Sequence, residues 1–588
     1  MSKAIAPALI LLGLALGLWG IRWGLPGRQR LERVVPAGLD GPAFQKELAD
    51  AWAEMDRRMG QNRDLSPEAS RGLTGIVEIP GGWKTPPTEL LNSYRSFYDR
   101  TEQEDEQSIL LALATMKPRR LQFNTHHFIY GSFYVYSVGA VLALGAATGL
   151  VTLKSSLLYY LGDPSKMAAL YLAGRLLSVA SFVACGLMLL RLGRRYVGLE
   201  AGALAAAIFL MTPAAVTQAT LLKIHMFWAF FALWTVERCG RVLERGALKD
   251  YAAAGAVAGL TVATSLGAWP ACLIVAAAGA MRLTGLHEPN GTPRKPLPEL
   301  QGLVLSGVCA VAAFLLTNPY WVLAFNEGMV EMRVDAGQVS TFNLIHPVLF
   351  IENALRRSVT DPVLTLMLGG TVLALFKGRR QPVLLLCAVV FLIALASMAT
   401  DANVISTYQV RHFLGWVGVA SLLAGYLLQE LRALKGTAGR CGGIVAAIVL
   451  AGLACQGFSY AYNYHLGEND RSNHFIAGEW IDQNIPAGET IGLLRFPQPS
   501  NSPFFHYDRY RLKLIEPKLA AALPPAQLPR WLALTAPDYF EDRPALGGAL
   551  SRYELRAAFS SARLFPWITL DPALTPANPI IEIYRLKS

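Results

Sequence analysis

The sequence predicts a mainly α, polytopic transmembrane helical bundle of about twelve or thirteen spans, with a long first extracytoplasmic loop and a small C-terminal α/β domain. Three observations lead there. Of 588 residues, 53% are hydrophobic and 16% charged, where an ordinary soluble domain carries about 25% charged residues. Apolar runs of about 20 residues, the length that crosses a hydrocarbon layer of about 30 Å, recur between residues 4 and 462. Beyond residue 467 the runs stop, and Pro486, Pro497, Pro499, Pro503 and Pro517 punctuate short β-like stretches. A soluble enzyme with a single core is excluded.

The first run, residues 4–21, follows a lone Lys3 and leads into Arg22-Trp23-Gly24-Leu25-Pro26 with no small-residue cleavage pattern, so residues 1–24 read as a retained signal anchor. Residues 25–126 form a polar stretch too long for a simple connector, with helical patterns at 42–59 and 107–116. Residues 127–466 form a membrane domain with apolar spans near 127–151, 168–190, 199–217, 225–237, 251–266, 268–283, 303–323, 363–376, 382–398, 412–430 and 443–463. Residues 467–588 read as an extracytoplasmic α/β domain, with an amphipathic helix at 473–484 and strands at 490–494 and 580–584.

The net charge of +11 is distributed as short basic clusters between spans: Arg191, Arg194 and Arg195; Arg238, Arg241 and Arg245; 282–295; Lys377, Arg379 and Arg380; Arg432, Lys435 and Arg440. Such loops mark the cytoplasmic side, and no cluster is interleaved with aromatics for base stacking, so the charge reports topology and no nucleic-acid partner. The loop 325–360, the segment around Lys223 and the segment 401–412 then fall outside. An inside N-terminus and an outside C-terminus require an odd number of crossings, and a short or broken helix near 153–161 is the expected extra one. The seven cysteines lie in or beside apolar segments and give neither a disulfide framework nor a metal spacing.

The chief chemical clue is Asp105-Glu106, within Glu102-Gln103-Glu104-Asp105-Glu106, on a loop between membrane helices and beside an apolar segment. A carboxylate pair there is placed to act as a general base toward a lipid-linked substrate. The plainer reading is a solvated acidic run. Arg175, some way inside its span, needs a partner or a cavity. His126-His127 suggest metal ligands only weakly, because adjacent residues point apart and no third ligand is evident. Tyr130, Phe133, Tyr134 and Tyr136 read either as the lining of a prenyl groove or as an interfacial aromatic belt. Asn318-Pro319-Tyr320 reads as a helix break.

The order of these pieces resembles the GT-C superfamily of integral-membrane glycosyltransferases, in the branch of protein O-mannosyltransferases and lipid A aminoarabinose transferases. The likeness rests on several pieces in sequence: Arg22, Gly24, Leu25 and Pro26 leaving the first span, then Asp105-Glu106 opening a helix, then Lys117-Pro118, Asn124 and the aromatic run 128–136. Arg175, Gly193 to Arg195, Thr212-Pro213, Arg411-His412, Ala477 to Ile481 and Asn484 to Gly488 follow. The chain departs from the pattern in its longer first loop and in Lys223-Ile224-His225, which stand where an acidic residue is often found before the fifth span.

The resemblance implies an inverting transfer from a polyprenyl-phosphate-linked sugar to an extracytoplasmic glycan, lipid or protein, at a bacterial inner membrane. It makes Asp105 the base and Glu106 its orienter or a sugar ligand. Lys223 with His225, and Arg411 with His412, become candidate phosphate contacts, and Tyr130 a donor contact. The plainer reading of each cation is a snorkelling interfacial side chain. The resemblance makes no cofactor certain, and a divalent metal stays open though the sequence does not support one. A transporter or flippase of lipid-linked sugars, or a non-catalytic envelope assembly protein, are the competing classes. A transporter would show an internal repeat with matching polar breaks, and none is found.

Overall fold

A computed structural model describes residues 2–61, 75–286, 296–339, 342–377, 381–401, 407–468, 470–520, 522–535 and 543–587. Parts of the basic stretches 282–295 and 377–380 and of the segment 401–412 lie outside the described residues. The chain divides into two compact units: residues 1–19, 109–143 and 174–461 make one, and residues 20–108, 144–173 and 462–588 the other.

The first unit is helical. Among the described residues six helices are long and apolar enough to cross a membrane, or up to eight if two bent pairs each count as one span. Ala4–Leu18 and Ser132–Ala147 are apolar but shorter. The chain is a multi-pass membrane protein. Two of the anticipated spans lack that length or apolarity for physical reasons. His225–Arg245 carries Glu237, Arg238 and Arg241, and Leu248–Thr264 has 17 residues.

The break anticipated near 153–161 is a six-residue helix, Leu157–Gly162, too short to cross. The breaks lie elsewhere. Leu199–Met211 meets Pro213–Ala219 at 64°, and His346–Val359 meets Asp361–Lys377 at 119°. Proline explains the first, since Pro213 begins a new helix at a position that needs no N–H donor. Thr360, in a positive-φ conformation at +79°, turns the chain at the second.

Glycine lets two helices of this unit approach closely. A Cβ on Gly255 would lie 2.0 Å from the Ser306 carbonyl oxygen, and one on Gly259 2.2 Å from that of Ala310. Leu248–Thr264 therefore packs on Pro296–Thr317 through a small-xxx-small face, as lipid-embedded helices do. The basic clusters are partnered by acids: Arg241 and Arg191 by Glu237, at 2.8 and 3.3 Å, and Arg195 by Glu244 at 2.5 Å. Arg282 and Glu299 form a buried bidentate pair, and Glu299 also accepts the Tyr251 hydroxyl at 2.5 Å.

The second unit is built on a six-stranded mixed sheet in the order β1-β3-β2-β4-β6-β5. β1 is Ile76–Ile79, β2 Thr490–Leu493, β3 Arg511–Ile515, β4 Trp531–Leu534, β5 Tyr553–Phe559 and β6 Ile581–Leu586. β2 is parallel to β3 and β4, while β1, β5 and β6 pair antiparallel. β1 comes from the long loop after the first span, and pairs Ile76 with Ile515 and Ile79 with Leu512.

The same loop supplies the helix Thr88–Asp99, whose Leu90, Leu91, Tyr94 and Phe97 share one core with Phe475 and Ile481 of the helix Asn473–Asn484 and with Ile491 and Leu493 of β2. A second core, with Leu494, Leu532, Leu534 and Tyr584, lies among the strands. The helix Asn473–Asn484 sits against backbone: a Cβ on Gly478 would lie 1.8 Å from the Phe504 carbonyl oxygen.

Candidate active site

The acidic run belongs to the second unit, and it is not a solvated stretch. Glu102, Gln103 and Glu106 are buried, while Asp105 and Glu104 are half-buried. Local chemistry explains this. The Glu106 carboxylate accepts the Thr101 hydroxyl at 2.6 Å, and Glu106 opens the helix Glu106–Thr115, where the helix dipole favours negative charge. The Glu102 N–H donates to the Gly24 carbonyl at 2.9 Å. Gly24 has φ +58°, and a Cβ there would stand 2.7 Å from Cβ of Glu102. The Gly-Leu-Pro exit and the acidic run are thus one local structure.

Arg30 ties the surrounding backbone together. Its guanidinium donates to the carbonyls of Phe97 at 2.7 and 2.9 Å and of Arg100 at 2.5 Å. Burial draws its pKa down to about 10, against the opposing pull of Glu102 and Asp99. Arg95 and Asp99 form a buried pair one turn apart. The C-terminal domain grips the run from its other side: Ser500 donates its hydroxyl to Glu104 at 2.6 Å, and Arg100 donates to Gln498 at 3.1 Å. Asp105 is left half-buried, its carbonyl accepting both the N–H and the hydroxyl of Ser108.

The candidate phosphate contacts belong to the first unit, and four of them gather. Lys223 is 2% exposed and His225 wholly buried, where Pro213–Ala219 gives way to His225–Arg245. The His225 ring stacks edge-on against His412 with centroids 4.9 Å apart, and Arg411 Nε donates to His412 Nε2 at 3.0 Å. Arg411 and Lys223 are close enough to act electrostatically on His225. Neither ring nitrogen of His225 has a hydrogen-bond partner among the described residues. Chemically this is a cluster of donors and cations of the kind that holds a phosphate. Arg175, also in this unit, is wholly buried.

Tyr130 stands with a different group. Its backbone bridges to Ser265, the Gly131 N–H donates to the Thr264 carbonyl at 3.0 Å, and its ring meets that of His127 at 4.8 Å. His127 pairs with Glu331 at 3.0 Å and His126 with Glu327 at 2.5 Å. The two adjacent histidines reach successive turns of one helix, Phe325–Val339, because His126 adopts a left-handed backbone at φ +49°. Burial pushes the Glu331 carboxyl up, but the His127 bond and charge, with the N–H groups of Phe128 and Ile129, hold it below the usual carboxylate range.

Glu327 and Glu331 are residues that sequence reasoning missed; their i, i+4 spacing was the available signal. Beside them a cavity of about 310 Å³ is lined by Lys117, Gln122, Asn124, His126 and Tyr320, among others. Among the described residues no group of three His, Cys, Asp or Glu side chains is placed to share a metal ion.

No family model and no curated protein matches the chain. Solved structures do. ArnT from Cupriavidus metallidurans bound to undecaprenyl phosphate is 13% identical over 82% of this chain and 93% of that one, with a TM-score of 0.39. The oligosaccharyltransferase of Archaeoglobus fulgidus in its apo form is 10% identical over 90% of this chain and 75% of that one, with a TM-score of 0.42. AglB of the same organism, with an inhibitory peptide and a dolichol-phosphate, is 10% identical over 97% and 75%, at 0.40. These are members of the GT-C superfamily. At this depth of likeness the activity has to be read from the chain's own side chains.

Proposed function

We propose that the chain is a membrane glycosyltransferase of GT-C type that moves a sugar, with inversion, from a polyprenyl-phosphate donor to an extracytoplasmic glycan, lipid or protein. The observation that carries this reading is the gathering of the buried Lys223 and His225 with the half-buried Arg411 and the exposed His412. Cations so placed suit a lipid phosphate better than an aqueous solute. Residues 25–126 and 467–588 then serve as the extracytoplasmic part, residues 127–466 as the membrane domain, and the cell inner membrane as the site of action.

In the proposed reaction the acceptor O–H gives its proton to Asp105 as its oxygen bonds to the anomeric carbon. The bond from that carbon to the phosphate oxygen breaks on the opposite face, and the phosphate leaves with the electron pair. Lys223 and Arg411 are proposed separately, from their own cluster in the first unit, as contacts for a lipid phosphate. Glu106, fixed by Thr101, orients Asp105 or holds a sugar hydroxyl.

The test is genetic and chemical together. A deletion strain should lose one envelope glycan or lipid modification, restored by the wild-type gene. Asp105→Asn, which keeps the side-chain size and removes the base, should restore it about 10²- to 10⁴-fold more slowly. Lys223→Met should fail likewise. Wild-type rates from Asp105→Asn, present in the membrane at normal levels, would remove Asp105 from the role of base.

A further inference from the structure

Apolar side chains stand exposed beyond the end of a spanning helix. Pro296–Thr317 shows a stripe of Leu297, Leu300, Val304, Val308 and Val311, each 50% exposed or more, and only 11% of its most apolar window is buried. That is the lipid-facing side of a membrane helix. Asn318 then breaks the helix and anchors the break, its side chain accepting the Ser132 N–H at 2.6 Å and donating to the Phe314 carbonyl at 3.2 Å.

Past the break the apolar exposure continues without a gap: Val322 is 62% exposed, Leu323 73%, Phe325 55% and Val330 58%. The helix Phe325–Val339 is two-sided. Glu327 and Glu331 face His126 and His127, and Gly328 packs against the Phe128 ring. Phe325 and Val330 look outward together with the exposed Arg333.

A second stretch repeats the pattern at the end of another spanning helix. Phe342 and Leu344 are each 76% exposed, and Ile345 and Val348 more than half exposed. The Asn343 N–H, in their midst, donates at 2.8 Å to the carbonyl of Ala399, at the terminus of the Pro382–Thr400 span. Both stretches are therefore held at the level where spanning helices leave the hydrocarbon. Exposed apolar surface of this extent, continuous with a lipid-facing helix and edged by a cation, matches an interfacial segment and not an aqueous loop.

We propose that residues 320–333 and 342–348 lie in the membrane interface, with Val322, Leu323, Phe325, Val330, Phe342 and Leu344 among the acyl chains and Arg333 toward lipid phosphate. The occupant of this apolar face is the bilayer leaflet reached by the Thr317 end of its helix. The proposal does not depend on the glycosyltransferase reading.

Its test uses the full chain in vesicles of phosphatidylethanolamine and phosphatidylglycerol. Nitroxide labels on Phe325→Cys, Val330→Cys and Leu344→Cys, in a background without other cysteines, should collide with oxygen in preference to a nickel chelate, as a control label on Val308→Cys should. A label on Glu554→Cys in β5 should show the reverse. Chelate access at 325, 330 and 344 equal to that at 554 overturns the proposal. Dipolar broadening that disappears on dilution with unlabelled protein also overturns it, because a second copy would then cover the face.

Hydroxyl-radical footprinting of the unaltered protein in the same vesicles needs no substitution. Leu344 should be oxidised several-fold less than Leu555, although Leu344 is 76% and Leu555 48% exposed on the protein surface. Equal or greater oxidation of Leu344 overturns the proposal.

Discussion

Asp105 and Glu106 stand out in the sequence as candidate residues, but their surroundings do not. Four acidic side chains in five positions read equally well as a solvated run, and what buries Glu102 and Glu106 is Gly24, Thr101 and a segment near Ser500. Side chains so remote in sequence leave no periodic signal. The partners of the adjacent histidines, Glu327 and Glu331, lie some two hundred residues away in sequence.

His474 supplies a prediction at this scale. Burial brings its pKa down from 6.5 to about 4, although a 2.8 Å bond to the Ser502 carbonyl pulls the other way. The folded state thus prefers the neutral ring, and the unfolded chain takes up its proton first. Stability is whole above pH 6.5 and is lost as the pH falls toward about 4, by on the order of 3 kcal/mol. Thermal melts of wild type and His474→Gln should therefore diverge across that window, with wild type the steeper. Parallel curves would show that His474 does not titrate in this way.

Elements were more legible than their assembly. The helix anticipated at 473–484 is Asn473–Asn484, that at 42–59 is Pro42–Gln61, and that at 107–116 is Glu106–Thr115. The strand at 490–494 is Thr490–Leu493. Periodicity and proline set these boundaries within a residue or two. The bend between Leu199–Met211 and Pro213–Ala219 escaped because hydropathy is blind to direction: both halves are apolar, and only the backbone at Thr212 and Pro213 turns the chain by 64°.

Packing at the element scale predicts the effect of a single methyl group. Since a Cβ on Gly478 would overlap the Phe504 carbonyl oxygen at 1.8 Å, Gly478→Ala should push the helix Asn473–Asn484 off its core. The expected cost is about 1–3 kcal/mol or more, as for other overpacked sites. Limited proteolysis should then cut between residues 467 and 510 at protease levels that leave the wild type whole. Unchanged resistance would mean that the helix can shift at little cost.

At the scale of the whole molecule, the pairing of β1 with β3 limits topology in a way that counting spans could not. One sheet cannot lie on both sides of a bilayer, so the loop carrying β1 and the domain carrying β3 share a compartment. The chain between them crosses an even number of times. Hydropathy alone gave eleven segments there and left the parity unresolved, because short, charged and bent helices are counted uncertainly by composition. A membrane-impermeant maleimide should label Glu78→Cys and Glu554→Cys from the same side of sealed vesicles, and the extracytoplasmic side under the proposed function. Labelling of the two from opposite sides would break the sheet assignment.

The same pairing has a consequence for how the protein is made. β1 leaves the ribosome more than four hundred residues before its partner strand. At about 5–20 residues per second, that interval is on the order of tens of seconds. Through it, the backbone donors and acceptors of β1 and the apolar face of Thr88–Asp99 wait uncovered, while every remaining membrane segment is inserted. Biogenesis therefore has a vulnerable stage, when a chaperone or a protease on that side of the membrane can bind the nascent loop. A stop codon before residue 511 would hold the chain at that stage permanently.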